Sequence, residues 1–225
     1  MKNSKMTEEL LASNVISWLE EQHWDIYQEV QFHQNASIAD IVAVRNGQLW
    51  VIECKQSLTL TVLEQAYRWK THLRSVAVPR TKTRRQQKRV LAYKIAKDYL
   101  RVGVLEVSQF GEVFLKVPAP IMREYHNQSV YYKSLLKDEH KHYAKAGTRN
   151  GGYYTPYQDT IKRVKDFISN NPGCTLKEIM DFIGRSHYSN KQSARQSLRT
   201  ALEHWESEWC CIKVIERKNY YFIKK

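Results

Sequence analysis

Two acidic residues and a lysine are the side chains whose types and spacing most clearly suggest chemistry. Asp40 lies in the β-prone run Ile38–Val44, and Glu53-Cys54-Lys55 ends a second such run beginning at Leu49. Asn46-Gly47 stands between them, and both residues tolerate positive φ, so a two-residue hairpin turn is predicted. With that turn Arg45 faces Gln48 and Asp40 faces Glu53, which puts their Cβ atoms about 4.5–5.5 Å apart. Lys55 joins the same face through the strand period of two. Adjacent carboxylates repel unless a cation stands between them, and Mg²⁺, with Mn²⁺ as its substitute, suits oxygen ligands at this spacing. The lysine would stabilise phosphate charge, or orient and help deprotonate an attacking water. A solvated charge cluster at a strand end would use the same residue types. The register, the Val- and Ile-rich strands and a preceding helix favour catalysis.

Those strands need a frame. Thr7 can cap a helix running to about Gln22, with Leu11, Val15, Trp18 and Leu19 at helical spacing, and an extended segment Ile26–Phe32 follows. Beyond the hairpin the pattern predicts a helix Thr61–Leu73, a buried strand Ser75–Pro79 and a basic helix from about Arg84 to Leu100. Strands Val102–Val107 and Val113–Val117 complete this region. From Tyr125 the composition shifts to Lys, His, Tyr and Asn and then to Gly147–Gly152, which reads as a linker over 126–156. Three helical patterns follow, Tyr157–Ser169, Thr175–Ile183 and Ser189–His204. Two β-prone runs close the sequence, Cys211–Ile215 and Tyr220–Ile223, with Arg217-Lys218-Asn219 at their turn. Three helices and a terminal hairpin predict a winged helix-turn-helix. The expected domains are thus a catalytic α/β domain over 1–125 and a winged helix over 157–225.

The formal net charge of +13 points to polyanions. Arg80, Lys82, Arg84, Arg85, Lys88 and Arg89 crowd the start of the basic helix, where side chains and backbone N–H groups would hold phosphates. In the last helix Lys191, Arg195 and Arg199 recur every four residues on one face with Gln192 close by, as expected of a helix reading base edges in a major groove. Arg217 and Lys218 would touch the DNA backbone from the wing. The tyrosines around Tyr131 and Tyr132 could stack on bases but more often anchor a linker. No apolar run approaches the roughly 20 residues of a membrane span, and the N-terminal residues do not read as a secretory signal, so a cytoplasmic protein is expected. The four cysteines form neither a disulfide ladder nor a CxxC zinc pair.

Ile38-Ala39-Asp40-Ile-Val-Ala-Val44, Trp50-Val-Ile-Glu53-Cys54-Lys55 and the element order over about 7–117 resemble the PD-(D/E)XK nuclease superfamily, with Ala39 in place of the motif's proline. The resemblance implies a restriction-endonuclease-like mixed sheet flanked by helices. It also implies Mg²⁺ held by Asp40, Glu53 and the Cys54 carbonyl, with Lys55 acting on water or phosphate. Such nucleases often add a glutamate from the first helix. Glu8 is the choice here, since it shares a face with Leu11 and Val15, and Glu9 and Glu29 are the alternatives. Gln65 stands where several branches carry a glutamine that supports the site or contacts DNA, while Tyr67 and Trp69 read as packing groups. The domain order is similar to that of the DNA-cutting subunit of some transposition systems, and cutting both strands calls for two active sites, so a homodimer or a partner nuclease or transposition subunit is expected. The expected function is a Mg²⁺-dependent DNA endonuclease, and the alternative is a non-catalytic DNA-binding adaptor with a nuclease-like fold.

Overall fold

Thr7 accepts the Leu10 N–H at 3.1 Å and so satisfies an open donor at the start of α1 (Glu8–Glu20), where Glu8 and Glu9 also complement the positive end of the helix dipole. Leu11, Val15 and Leu19 fall on one helix face and are fully buried. The computed structural model describes residues 6–33, 36–81, 83–148, 152–188 and 190–224, with the side chains of 83–88 outside that description. It divides the chain into two units, Met1–Tyr154 and Thr155–Lys225.

The first unit is built on a six-stranded mixed sheet of β1 (Asp25–Gln31), β2 (Ile38–Arg45), β3 (Gln48–Cys54), β4 (Leu73–Pro79), β5 (Gly103–Val107) and β6 (Val113–Val117), in that spatial order. Strands β1 to β3 run antiparallel, β3 to β5 parallel, and β6 antiparallel to β5. Parallel neighbours need crossovers. These are α2 (Leu60–Arg68) and α3 (Thr83–Lys94), the latter continuing as a π-helical stretch Ile95–Leu100. Asn46 and Gly47 make the expected turn, with φ of 50° and 78°, and Arg45 pairs with Gln48. Alternation along β2 and β3 then divides the core. Ile41, Ala43, Trp50, Ile52 and Cys54 pack with α1, while Val42, Leu49 and Val51 pack with Val30, Phe32 and Trp69.

The helix expected over Thr61–Leu73 stops at Arg68, and Leu73 already belongs to β4. Arg74, buried in β4, gives the reason. Its guanidinium donates to the Tyr67 and Trp69 carbonyls at 2.6 and 3.2 Å and to the Leu100 carbonyl at 2.8 Å, so it satisfies the groups exposed where the helices end. The interval 126–156, expected as a linker, holds α4 (His126–Ser134) and α5 (Glu139–His142), and the boundary falls at Tyr154/Thr155. These residues are tied into the first unit. Ser129 accepts the His72 N–H at 2.8 Å, Tyr132 stacks on Phe32, and Gln28 accepts the Ala146 N–H at 3.0 Å.

In the second unit α6 (Pro156–Asn170) and α7 (Leu176–Ile183) both begin with capping boxes, Thr155 with Gln158 and Thr175 with Glu178. Asn190 caps α8 (Lys191–Thr200), which continues as a π-helical stretch Ala201–Trp205. The short β7 (Cys174–Thr175), β8 (Cys210–Ile215) and β9 (Lys218–Ile223) form an antiparallel sheet in the order β7-β9-β8. The hairpin turns at Glu216 and Arg217, both at positive φ, so Lys218 starts β9 rather than lying in the turn with Asn219. Val164, Ile168, Ile179, Leu198 and Tyr221 form the core of this unit. Among the described residues no helix is long and apolar enough to cross a membrane.

Candidate active site

The β2–β3 ladder brings Asp40, Glu53 and Lys55 together. Its paired positions run from Arg45↔Gln48 to Ile41↔Ile52, so Asp40 and Glu53 occupy the next step. There the Asp40 side chain takes over as acceptor. Its Oδ2 receives the Cys54 N–H at 2.7 Å and the Lys55 ammonium at 2.8 Å. Lys55 Nζ is also 3.6 Å from Glu53 Oε2, so one ammonium bridges both carboxylates. Trp69 completes the set by donating its indole N–H to Glu53 Oε1 at 2.7 Å. It is therefore more than the packing group that helical periodicity suggests.

Glu29 extends the row. Gln28 pairs with Ile41 and Val30 with Ala39, so Glu29 fills the register position facing Asp40. Its backbone has φ of 48°, and its carboxylate accepts the Gly147 N–H at 2.8 Å. Burial pushes the Glu29 carboxyl up to about 7, the Gly147 hydrogen bond pulls it down, and the Asp40 charge raises it further. Of the three candidates for a further glutamate, Glu29 thus has the most direct tie to the pair. The half-buried Glu8, the choice from sequence, acts on Lys55 through its charge, and Glu9 is exposed. The β1–β2 register would have marked Glu29, but that register depends on pairing between strands with no short turn to set it.

Electrostatically the site carries an excess of negative charge. Burial raises the Glu53 carboxyl above its ordinary range, the Asp40 charge adds to this, and Lys55 and the Trp69 hydrogen bond offset only part. Burial pulls the Lys55 ammonium down, yet Asp40, Glu53 and Glu8 outweigh that and hold it above the usual lysine range. A divalent cation between Asp40 and Glu53 would relieve the same repulsion, with the Cys54 carbonyl adjacent in sequence. Among the described residues no group of three or more His, Cys, Asp and Glu side chains is arranged for a metal. Mg²⁺ typically needs only one or two carboxylates, with water and substrate phosphate completing its shell, so the donor set fits.

Asp40 and Glu53 are recessed, at 8% and 5% exposure, in the wall of a cleft of about 300 Å³. Gln65 lines this cleft, as does Arg68. Phe32, His33, Trp69 and Tyr132 supply aromatic surface beside the carboxylates. Tyr132 comes from the stretch read as linker. Its polar, Lys- and Tyr-rich sequence offers no clear helical periodicity that would have placed it here.

The basic residues divide into different environments. Arg80 is exposed, with its guanidinium 4.2 Å from the centre of the Phe114 ring. Arg89 is not a free surface cation as expected. It pairs at 2.6 Å with Glu106, which is fully buried in β5, and Tyr93 donates to the same oxygen at 2.7 Å. Lys82 and the side chains of Arg84, Arg85 and Lys88 lie outside the described residues. On α8, Lys191, Gln192 and Arg195 are exposed and Ala194 and Leu198 are buried, while Arg199 is exposed but paired with Glu203 at 2.8 Å. Arg217 and Lys218 are exposed at the β8–β9 turn.

No protein-family model matches this sequence, and no curated protein matches it. Among solved structures it is similar to the SPO1766 protein of unknown function from Silicibacter pomeroyi, at 16% sequence identity and a TM-score of 0.38, over 55% of this chain and 81% of that one. A likeness at this level carries no argument about activity.

Proposed function

We propose that the first unit is a Mg²⁺-dependent DNA nuclease of the PD-(D/E)XK type and that the second is a winged-helix DNA-binding domain. The observation that carries this reading is the convergence of Asp40, Glu53 and Lys55 in one recessed cleft, with Lys55 bridging both carboxylates. Asp40 and Glu53 would hold the cation, which, when bound, polarises a phosphate oxygen and lowers the pKa of bound water. Lys55 would donate to a phosphate oxygen or orient the attacking water, and Trp69 would keep the Glu53 carboxylate in place. Hydrolysis adds water across the phosphodiester and breaks one P–O bond.

Support for the second unit's role comes from its element order, in which a short strand separates the first two of three helices and a hairpin follows them. The exposed Lys191, Gln192 and Arg195 offer one helix face to a groove. Cutting both strands calls for two active sites, so the working form would be a homodimer or a complex with a partner nuclease. The test is incubation with supercoiled, linear and branched DNA in Mg²⁺, Mn²⁺ or chelator. Metal-dependent strand scission is expected. Tight binding with no scission on any substrate would favour the non-catalytic adaptor.

A further inference from the structure

We propose that the cleft beside Asp40, Glu53 and Lys55 receives one unpaired nucleotide of a DNA strand, its base stacking on the cleft's aromatic wall. This rests on the nuclease reading and specifies the substrate: DNA with a single-stranded or distorted segment at the point of cutting.

Phe32, His33, Trp69 and Tyr132 form the aromatic wall of the cleft, and Tyr131 stacks on His33 beside it. Phe32 and Tyr132 stack with ring centres 4.3 Å apart and planes 22° from parallel, with Trp69 edge-on to Phe32. His33 stacks on Tyr131 at 5.6 Å, also 22° from parallel. His33 lines the cleft and is exposed, and Tyr131 is 47% exposed, so this second pair is a platform still open to solvent. Aromatic platforms of this kind bind bases of single strands with little regard to sequence, because every base has a π-face. A volume of about 300 Å³ is at the lower end of small-ligand pockets and suits one nucleotide better than a base pair.

Polar groups are placed to match. Gln65 and Arg68 line the same cleft with exposed side chains that can bond a base edge or a flanking phosphate. The partner of Arg68, Glu64 at 2.7 Å, is itself exposed, and such surface pairs exchange readily for a phosphate. The carboxylates are recessed rather than presented on an open surface, so a nucleotide drawn out of its stack would reach them more easily than one held in a regular duplex.

The experiment uses the full chain and oligonucleotides carrying the fluorescent base 2-aminopurine, with Ca²⁺ in place of Mg²⁺ to hold the strand uncut. Binding a single strand should quench the fluorescent base severalfold, while the same base within an intact duplex should keep its signal. His33→Ala and Tyr131→Ala, both exposed positions, should weaken single-strand binding about tenfold and relieve the quenching. With Mg²⁺, overhangs and bubbles should be cut faster than blunt duplex. Unchanged quenching in both variants, or blunt duplex cut as fast as single strand, would overturn the proposal. Cutting that depends on Asp40 but comes without quenching would remove the stacking site and leave the nuclease. Quenching without cutting would do the reverse.

Discussion

Trp69 donates to Glu53 across 2.7 Å, so the residue that follows the last turn of α2 also fixes one of the two facing carboxylates. Arg74 in turn holds the Trp69 carbonyl at 3.2 Å. The end of a helix, a buried arginine and a site carboxylate are thereby one hydrogen-bonded chain. Removing the indole donor while keeping an aromatic ring, as in Trp69→Phe, should cost about 1–3 kcal/mol, because a buried carboxylate loses a partner. Urea unfolding checks this, and a variant as stable as the parent would show that the bond contributes nothing.

The main part of this site was legible in sequence because one short turn set it. Asn46-Gly47 fixes the β2–β3 register, and the register carries Asp40 opposite Glu53 with Lys55 beside them. The same local logic located α1 through Thr7. Contributions from elsewhere in the chain had no such signal. Trp69 reads as one more residue of a periodic helix until Arg74 ends it. Glu29 depends on a pairing between β1 and β2 that no tight turn dictates. Tyr132 lies in a polar helix held by aromatic contacts to Phe32 and Trp69, partners remote in sequence. Basic clustering likewise could not tell Arg89, taken up by Glu106, from residues free to meet DNA.

Gly147 links the segment after α5 to both β1 and α1. It adopts φ of 78°, and a Cβ there would sit 2.6 Å from the Glu8 backbone. Gly147→Ala should therefore destabilise the first unit by about 1–3 kcal/mol through backbone strain alone, with the collision adding to it. Because the Gly147 N–H also holds Glu29, metal-dependent activity should fall further than stability explains. Glu29→Gln separates the two effects: it should lower activity while leaving the Gly147 backbone undisturbed. Full activity in Glu29→Gln would remove Glu29 from the site.

His72 gives the fold a dependence on acid. Its Nδ1 accepts the Leu49 N–H at 3.2 Å, which leaves the proton on Nε2, 3.1 Å from His126 Nδ1. Burial, with the charges of His126 and Lys133, holds its pKa below the ordinary 6.5. The unfolded chain therefore takes up this proton first. The contribution of His72 to stability is present above about pH 6.5 and is lost as pH falls through the lower folded value. Glu29, raised by burial, works in the opposite sense, so the comparison must be with a variant. His72→Gln should be less stable than the parent at pH 8, and the gap should narrow on acidification. A gap that stays constant from pH 8 to pH 5 would contradict this account.

Arg89 and Arg195 should respond differently to removal. Arg89→Met leaves the buried Glu106 carboxylate without its cation and should cost about 3–5 kcal/mol in unfolding experiments. Arg195→Ala, on the exposed face of α8, should leave stability nearly unchanged. It should weaken DNA binding across sequences and reduce the salt slope by about 1 if the side chain meets a phosphate. Arg199→Ala should weaken binding less, because its partner Glu203 is half-buried, unlike the exposed Glu64 beside Arg68, and holds that guanidinium more firmly. DNA affinity unaffected by Arg195→Ala would remove α8 from the DNA interface.

The proposed chemistry is hydrolysis of DNA by Asp40, Glu53 and Lys55 with a divalent cation. Its most direct test is cleavage of plasmid DNA in Mg²⁺ by the parent, Asp40→Ala and Lys55→Ala proteins, each first shown to be folded by circular dichroism and to bind DNA. The parent should cut, chelator should stop it, and both variants should lose at least a hundredfold in rate while still binding, since charge stabilisation of this kind is worth about 10²–10³. Cutting that survives either substitution, or that continues in chelator, would contradict the account.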